Sequence, residues 1–417
     1  MQSIWIEKSV PLEGKVVVSS AKNAVLPIMA ATLLTGETCT IHKMPRLSDV
    51  QAMVEVLNHL GSQTHMKYDT LTARCEGLVT EEAPYEAMRR LRASVLVMGP
   101  LLARFGKARL PLPGGCNIGV RPVDLHLKGF RALGAEITLG NGYVTATAPR
   151  LTGARIYLDF PSVGATENLL MAACLAKGTT ILENAAKEPE IMDLGEMLMA
   201  MGAKIKGLGS DFLIIEGARQ LSGVEYTPIP DRVEAGTFMV GAAMTGGNVL
   251  LQNVRCAHLR PVLAKLREAG ATITEYPKSL RIKGSPKIHS VDIKSLPYPG
   301  FPTDMQPQMM ALCCLGDGTS VITETVFENR FLHVGELKRM GADILIDDRS
   351  AVVKGVSQLQ GTKVEAPDLR AGAALILAGL AAKGVTQIMG LEHIDRGYDR
   401  LEEKLRSLGA SIERRDA

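Results

Sequence analysis

Residues 26–62 read LPIMAATLLTGETCTIHKMPRLSDVQAMVEVLNHLGS, and this stretch contains the parts from which the whole chain is built. LPIMAATLLT is apolar nearly all round, so a helix there must be buried on every side. Gly36 closes it, because a helix end in the left-handed region costs little without a Cβ. ETCTIHKM follows as a strand. After a short loop, Val50, Met53, Val54, Leu57 and Leu60 recur at steps of three and four, the mark of a helix with one wet face, and Gly61 ends it.

The same unit recurs six times. The second glycine reappears at Gly61, Gly134, Gly202, Gly270, Gly341 and Gly409, at intervals of 73, 68, 68, 71 and 68 residues. The first reappears at Gly36, Gly106, Gly178, Gly247, Gly318 and Gly384, at intervals of 70, 72, 69, 71 and 66. Two independent markers thus keep one period near 70 residues, and a fixed period defines the architecture before any local element does. Further strands complete each unit, as in AEITLGNGYVTATA from Ala135.

Helices that are apolar on all sides belong inside, with sheets packed around them. Strands joined through helical crossovers are expected to be largely parallel, with right-handed connections. Six units divide naturally into two globules of three, a size that closed domains favour over a solenoid. Boundaries fall near Ser19–Asn23 and near Thr227–Arg232, where Pro228 and Pro230 stiffen the joint. Residues 22–229 then form one globule, residues 1–21 and 230–417 the other, and the N-terminal strand returns to the C-terminal half.

Composition excludes several functions. Among 417 residues, 47 are Lys or Arg and 44 Asp or Glu, a net charge of +3, so no polybasic tail serves nucleic acid or a membrane surface. Aromatics at 4% leave no base-stacking theme. MQSIWIEKSVPLEG lacks the features of a secretory signal, and the apolar runs Leu169–Ala176 and Ala371–Ala382 fall short of the roughly 18 residues a membrane span needs. Seven scattered cysteines suit a reducing cytoplasm rather than a disulfide framework. The eight histidines show no metal-ligand spacing, and no dinucleotide or P-loop glycine motif stands in its required context.

Arginines recur in the loops before the second helices, at Arg46, Arg121, Arg260, Arg330 and Arg396. Guanidinium groups beside helix N-termini are expected to build a cleft for a highly anionic ligand. Each of them, read alone, also suits a local ion pair. Four further segments stand out. Ser20-Ala21-Lys22-Asn23-Ala24 sets a point charge and an amide at the joint. The glycine-rich loop from Pro113 carries the Cys116 thiol five residues before Arg121, and a neighbouring cation favours the thiolate. Phe301-Pro302-Thr303-Asp304-Met305-Gln306 isolates one carboxylate, which also suits a helix N-cap. The run His393–Arg400 opens the last amphipathic helix.

SAKNA at Ser20, RASVLVMGPLLARFG at Arg92, PGGCNIGVRPVDLH at Pro113, PSVGATEN at Pro161, ENAAKEPEI at Glu183, PDRVEAGTF at Pro230, FPTDMQPQ at Phe301 and HIDRGYDRL at His393 occur in order across the chain. With them the sequence resembles the UDP-N-acetylglucosamine 1-carboxyvinyltransferases, of the EPSP synthase superfamily. The resemblance implies an α/β fold of two inside-out barrel globules of three units each, with the active site in the cleft between them. The implied reaction moves the enolpyruvyl group of phosphoenolpyruvate to the 3-hydroxyl of UDP-N-acetylglucosamine, at the entry to peptidoglycan synthesis, with no metal or organic cofactor. The related shikimate-pathway transferases, whose acceptor is a small phosphorylated cyclic acid, lack the cysteine loop. A silent UDP-sugar binder needs neither acid nor base.

The resemblance also assigns roles. Cys116 matches the proton donor and adduct-forming thiol, and Asp304 the base. Lys22, Arg121 and Arg396 match the groups that hold the anionic donor, with Asn23 beside them. Arg92, the run Arg121-Pro122-Val123-Asp124-Leu125 and Ser162-Val163-Gly164 match the UDP-sugar contacts. Val326 matches an apolar contact near the sugar, and Arg330 and Arg370 further cleft arginines. Phe160 stands where some members carry a lysine, so a phosphate contact is not expected there.

Overall fold

The computed structural model describes residues 2–111 and 123–416. Within them each repeat folds into the same parts. The apolar helices are Lys22–Ala31, Met98–Phe105, Val163–Ala173, Arg232–Thr245, Gln306–Cys313 and Leu369–Ala381. The one-faced helices are Ser48–Leu60, Asp124–Ala132, Pro189–Ala200, Arg260–Glu268, Val334–Arg339 and Leu401–Ser407. All of Gln306–Cys313 is buried, as is Leu369–Ala381 from Arg370 to Leu380, which follows from side chains that offer no wet face. On Ser48–Leu60 the buried stripe takes Val56 in place of Val54.

The chain divides into two compact units, one holding the N-terminal segment to Ser19 and the chain from Pro230, the other the described residues from Ser20 to Ile229. In the first unit the strand Gln2–Glu7 lies between Val385–Met389 and Ile412–Asp416, antiparallel to both. Glu13–Val17 runs parallel to Asn248–Gln252 in a second sheet, and Ile293–Lys294 edges a third. The second unit holds two four-stranded sheets and the three-stranded sheet of Lys107–Pro111, Tyr143–Thr147 and Glu136–Gly140. Strands such as Asn248–Gln252 alternate buried and half-buried positions, so one sheet face meets each unit's buried helices.

Three expectations need correction. Each four-stranded sheet has one parallel and two antiparallel pairings, so the sheets are not largely parallel. Tight hairpins cause this: Asn141-Gly142, with φ of 52° and 79°, folds Tyr143–Thr147 back on Glu136–Gly140. Among the described residues the strands form six separate sheets and no closed barrel. The second-helix glycines all take positive φ, but among the first set only Gly106, Gly178 and Gly384 do. At Gly247 the need is space, because a Cβ there would lie 2.3 Å from the Leu12 carbonyl oxygen.

Candidate active site

Asp304 lies in the short 3-10 turn Thr303–Met305 that leads into Gln306–Cys313. It does not cap that helix. Its carboxylate is clasped instead by two arginines: Arg330 Nη2 donates to Oδ1 at 3.0 Å, while Arg370 Nε and Nη2 donate to Oδ2 at 3.1 and 2.9 Å. Both arginines are 2% exposed and the Asp304 side chain 26%, so an otherwise buried cluster opens at the carboxylate. Burial works against the charge of Arg370, yet Asp304, with other acidic groups around it, holds its pKa above the ordinary arginine value. Asp368 accepts from the Arg370 and Ala371 N–H groups, capping Leu369–Ala381 and fixing the backbone from which Arg370 projects. The Arg370 guanidinium also faces the Tyr398 ring at 5.3 Å.

Tyr398 links the buried helices of this unit. Its hydroxyl lies 3.0 Å from Thr237 Oγ1 and accepts from Gln308 Nε2 at 3.2 Å. His333 is fully buried beside Arg330, and burial, partly offset by Asp368, pushes it down to about 4. It is therefore neutral at physiological pH.

In the other unit, Lys22 opens the helix Lys22–Ala31 and pairs with Asp49 Oδ2 at 2.7 Å. The two side chains are 11% and 4% exposed. Sequence reasoning missed Asp49; the available signal was one acid on the buried face of Ser48–Leu60. Asn23 is exposed. Val123 stands at the N-cap position of Asp124–Ala132 without a side-chain capping bond; the first-turn Asp124 is exposed and Leu125 half-buried. Ser162 caps Val163–Ala173, its hydroxyl accepting from the Ala165 N–H at 3.4 Å.

Asn168 joins these helices. It donates to the Val95 carbonyl at 2.9 Å, accepts from the Gly99 N–H at 2.7 Å, and lies 3.0 Å from His126 Nδ1. A Cβ at Gly164 would lie 3.4 Å from the His126 ring. The first turns of Asp124–Ala132 and Val163–Ala173 thereby pack together. Burial pushes His126 down to about 4. Nearby in sequence, Glu167 is buried, and desolvation together with Glu190 and Glu188 holds its carboxyl well above the usual range.

Four of the five arginines expected to line an anionic cleft fall among the described residues. Arg46 is exposed, as is Arg260 at the first position of Arg260–Glu268, while Arg330 is buried on Asp304. Arg396 is half-buried, and its neighbour Asp395 is held by Arg414 through both oxygens, at 2.6 and 3.0 Å. The run His393–Arg400 does not open one long helix: a short helix, Leu391–Ile394, ends before Arg400 takes a φ of 50° and Leu401–Ser407 begins. Val326 is half-buried and Phe160 is 45% exposed. Cys116, Arg121 and Pro122 lie outside the described residues, as does the side chain of Arg92. Of the other cysteines, burial pushes Cys39 and Cys313 up to about 11 and Cys174 to about 12, so these thiols stay protonated. Among the described residues no His, Cys, Asp and Glu group could hold a metal ion, and no helix is long and apolar enough to cross a membrane.

The fold and this site define an enolpyruvyl-transferase architecture. The solved structure of the enolpyruvyl transferase NikO from Streptomyces tendae superposes with a TM-score of 0.90 at 25% identity, covering 100% of this chain and 99% of that one. EPSP synthase from Acinetobacter baumannii superposes at 0.78 with 21% identity over 100% of both chains, a likeness of fold alone. The sequence profile described as EPSP synthase (3-phosphoshikimate 1-carboxyvinyltransferase) matches residues 6–405, and the chain belongs to that family. Two relatives match almost end to end. UDP-N-acetylglucosamine 1-carboxyvinyltransferase 1 of Caldanaerobacter subterraneus subsp. tengcongensis is 58% identical, covering 98% of this chain and 99% of the relative. UDP-N-acetylglucosamine 1-carboxyvinyltransferase 2 of Carboxydothermus hydrogenoformans is 57% identical over 99% of each.

Proposed function

We propose that the chain transfers the enolpyruvyl group of phosphoenolpyruvate to the 3-hydroxyl of UDP-N-acetylglucosamine, releasing phosphate, at the entry to peptidoglycan synthesis in the cytoplasm. The observation that carries this reading is the clasped Asp304 carboxylate, a single base in a buried cationic cluster. The 57–58% identical relatives supply the acceptor. The reading draws on residues of both units, each taken as a globule of three repeats with helices inside and sheets outside.

The chemistry balances in two stages. Cys116 gives its proton to the methylene carbon of phosphoenolpyruvate, making the neighbouring carbon electrophilic. The sugar 3-oxygen bonds to that carbon as its proton passes to Asp304, and the same thiol is able to add there as a covalent adduct. The Cys116 thiolate then takes a proton back from the new methyl group, which expels phosphate, leaves the enol ether and restores the thiol. A carboxylate held by two guanidiniums is a weak base towards an ordinary alcohol. It accepts the proton only as C–O bond formation makes the hydroxyl acidic, and until then it orients that hydroxyl. Lys22, Arg121 and Arg396 hold the donor's phosphate and carboxylate, and stabilise the phosphate as it departs.

On this reading Asn23, Val326, Arg330 and Arg370 border the reacting groups. Arg92, Pro122, Val123, Asp124, Leu125, Ser162, Val163 and Gly164 bind the UDP-sugar. The deciding experiment is phosphate release from phosphoenolpyruvate with each acceptor in turn. UDP-N-acetylglucosamine is expected to support turnover. Turnover with the shikimate-type acceptor alone reassigns the enzyme, and release with neither makes it a binder.

A further inference from the structure

We infer that Glu324 is a positioning residue for Asp304, an inference that rests on the functional reading above. Glu324 follows the strand Thr319–Thr323, is 1% exposed, and is fully engaged in holding loops together. Its Oε2 accepts from Ser295 Oγ and from Thr303 Oγ1, both at 2.9 Å. Its Oε1 accepts from the Val326 N–H at 2.8 Å and the Phe327 N–H at 3.3 Å. One buried carboxylate therefore fixes the residue immediately before Asp304 and, with its other oxygen, the turn that carries Val326. Four charge-assisted donors satisfy this buried carboxylate on both oxygens, a set that an amide, accepting on only one of its two sides, does not match.

Its place in the chain explains why the charge is useful there. Asp304 sits in a single 3-10 turn, whose backbone has few hydrogen bonds of its own. The arginines hold the tip of its side chain from one direction, and Glu324 holds the preceding residue from another. A base that must meet a hydroxyl within a fraction of an ångström needs both ends fixed.

Thr303→Val and Ser295→Ala each remove one hydroxyl from the same Glu324 oxygen, but only the first acts next to Asp304. In phosphate-release kinetics Thr303→Val is expected to lower kcat about tenfold or more, with KM for both substrates within about threefold. Ser295→Ala is expected to lower kcat no more than about threefold. Combined with Asp304→Asn, Thr303→Val is expected to add no further loss, because the group it positions is gone. Equal losses in the two single variants, or multiplied losses in the double variant, would overturn the inference and leave Glu324 a general scaffold. If the unsubstituted protein releases no phosphate, it is the functional reading that falls. Hydrogen exchange over residues 301–306 then decides the anchoring: faster exchange in Thr303→Val than in Ser295→Ala supports it, and equal exchange ends it.

Discussion

Arg370 reaches one oxygen of Asp304 with two nitrogens, Nε at 3.1 Å and Nη2 at 2.9 Å. Lysine keeps the charge at that position but not the two-point grip. Arg370→Lys is therefore expected to lower kcat by about ten- to a hundredfold through misplacement of the carboxylate. Steady-state phosphate release measures it, and a kcat within twofold of the unsubstituted enzyme would remove Arg370 from the site.

Asp304→Asn keeps the size of the side chain and removes the base, while its amide accepts from only one of the two arginines. UDP-N-acetylglucosamine affinity by calorimetry is expected to change only a few-fold, while turnover falls by about two to four orders of magnitude. Full turnover in this variant would transfer the role of base to another group.

Lys22 and Asp49 are tied at 2.7 Å with little exposure, and removing Asp49 costs the Lys22 ammonium this contact where water reaches it poorly. Asp49→Ala is expected to destabilise the fold by about 3–5 kcal/mol. Urea unfolding followed by circular dichroism tests this; a loss under 1 kcal/mol would mean that Lys22 has another way to shed its charge.

His126 and His333 are both pushed down to about 4 by burial, against an ordinary value of 6.5. Between pH 6.5 and 4 the unfolded chain therefore binds protons that the folded chain refuses. Stability falls with acid across that window, by about 1.4 kcal/mol per pH unit for each histidine. Glu167 acts in the opposite sense: its raised folded value favours the folded chain at low pH and is lost as pH rises through it. His126→Asn, which keeps a polar partner for Asn168, is expected to make the acid limb shallower by about one proton. An unchanged slope would place a charged His126 in the folded state.

Exposure to phosphoenolpyruvate or to fosfomycin, an epoxide, is expected to add mass on the peptide containing Cys116. The buried thiols of Cys39, Cys174 and Cys313 are expected to remain unlabelled, because burial holds them protonated. Label on any of these three, with Cys116 clean, would move the acid.

The repeat was legible because its markers are local. A left-handed helix end selects glycine at Gly61, Gly134, Gly202, Gly270, Gly341 and Gly409 wherever the chain goes next. Asp304 was legible as one carboxylate in an apolar stretch. What holds it was only half legible: Arg330 and Arg370 carry the charge, but the 66-residue separation between Asp304 and Arg370 hides their contact. Asp49, Asn168 and Glu324 carry little signal of their own in the sequence, since each looks like an ordinary polar residue until folding brings its partners to it. Parallel sheets were expected because helical crossovers were visible, while the Asn141-Gly142 hairpin that reverses the chain was not weighed against them.

The strand Gln2–Glu7 lies in the middle of its sheet, bonded on one side to Val385–Met389 and on the other to Ile412–Asp416. A ribosome delivers that strand long before either of its two neighbours. The segment from Ser20 to Ile229 is able to complete its core while synthesis continues, whereas the strand Gln2–Glu7 waits unpaired until Val385–Met389 has emerged. Nascent chains stalled before Ile412 should accordingly recruit chaperones at Gln2–Glu7.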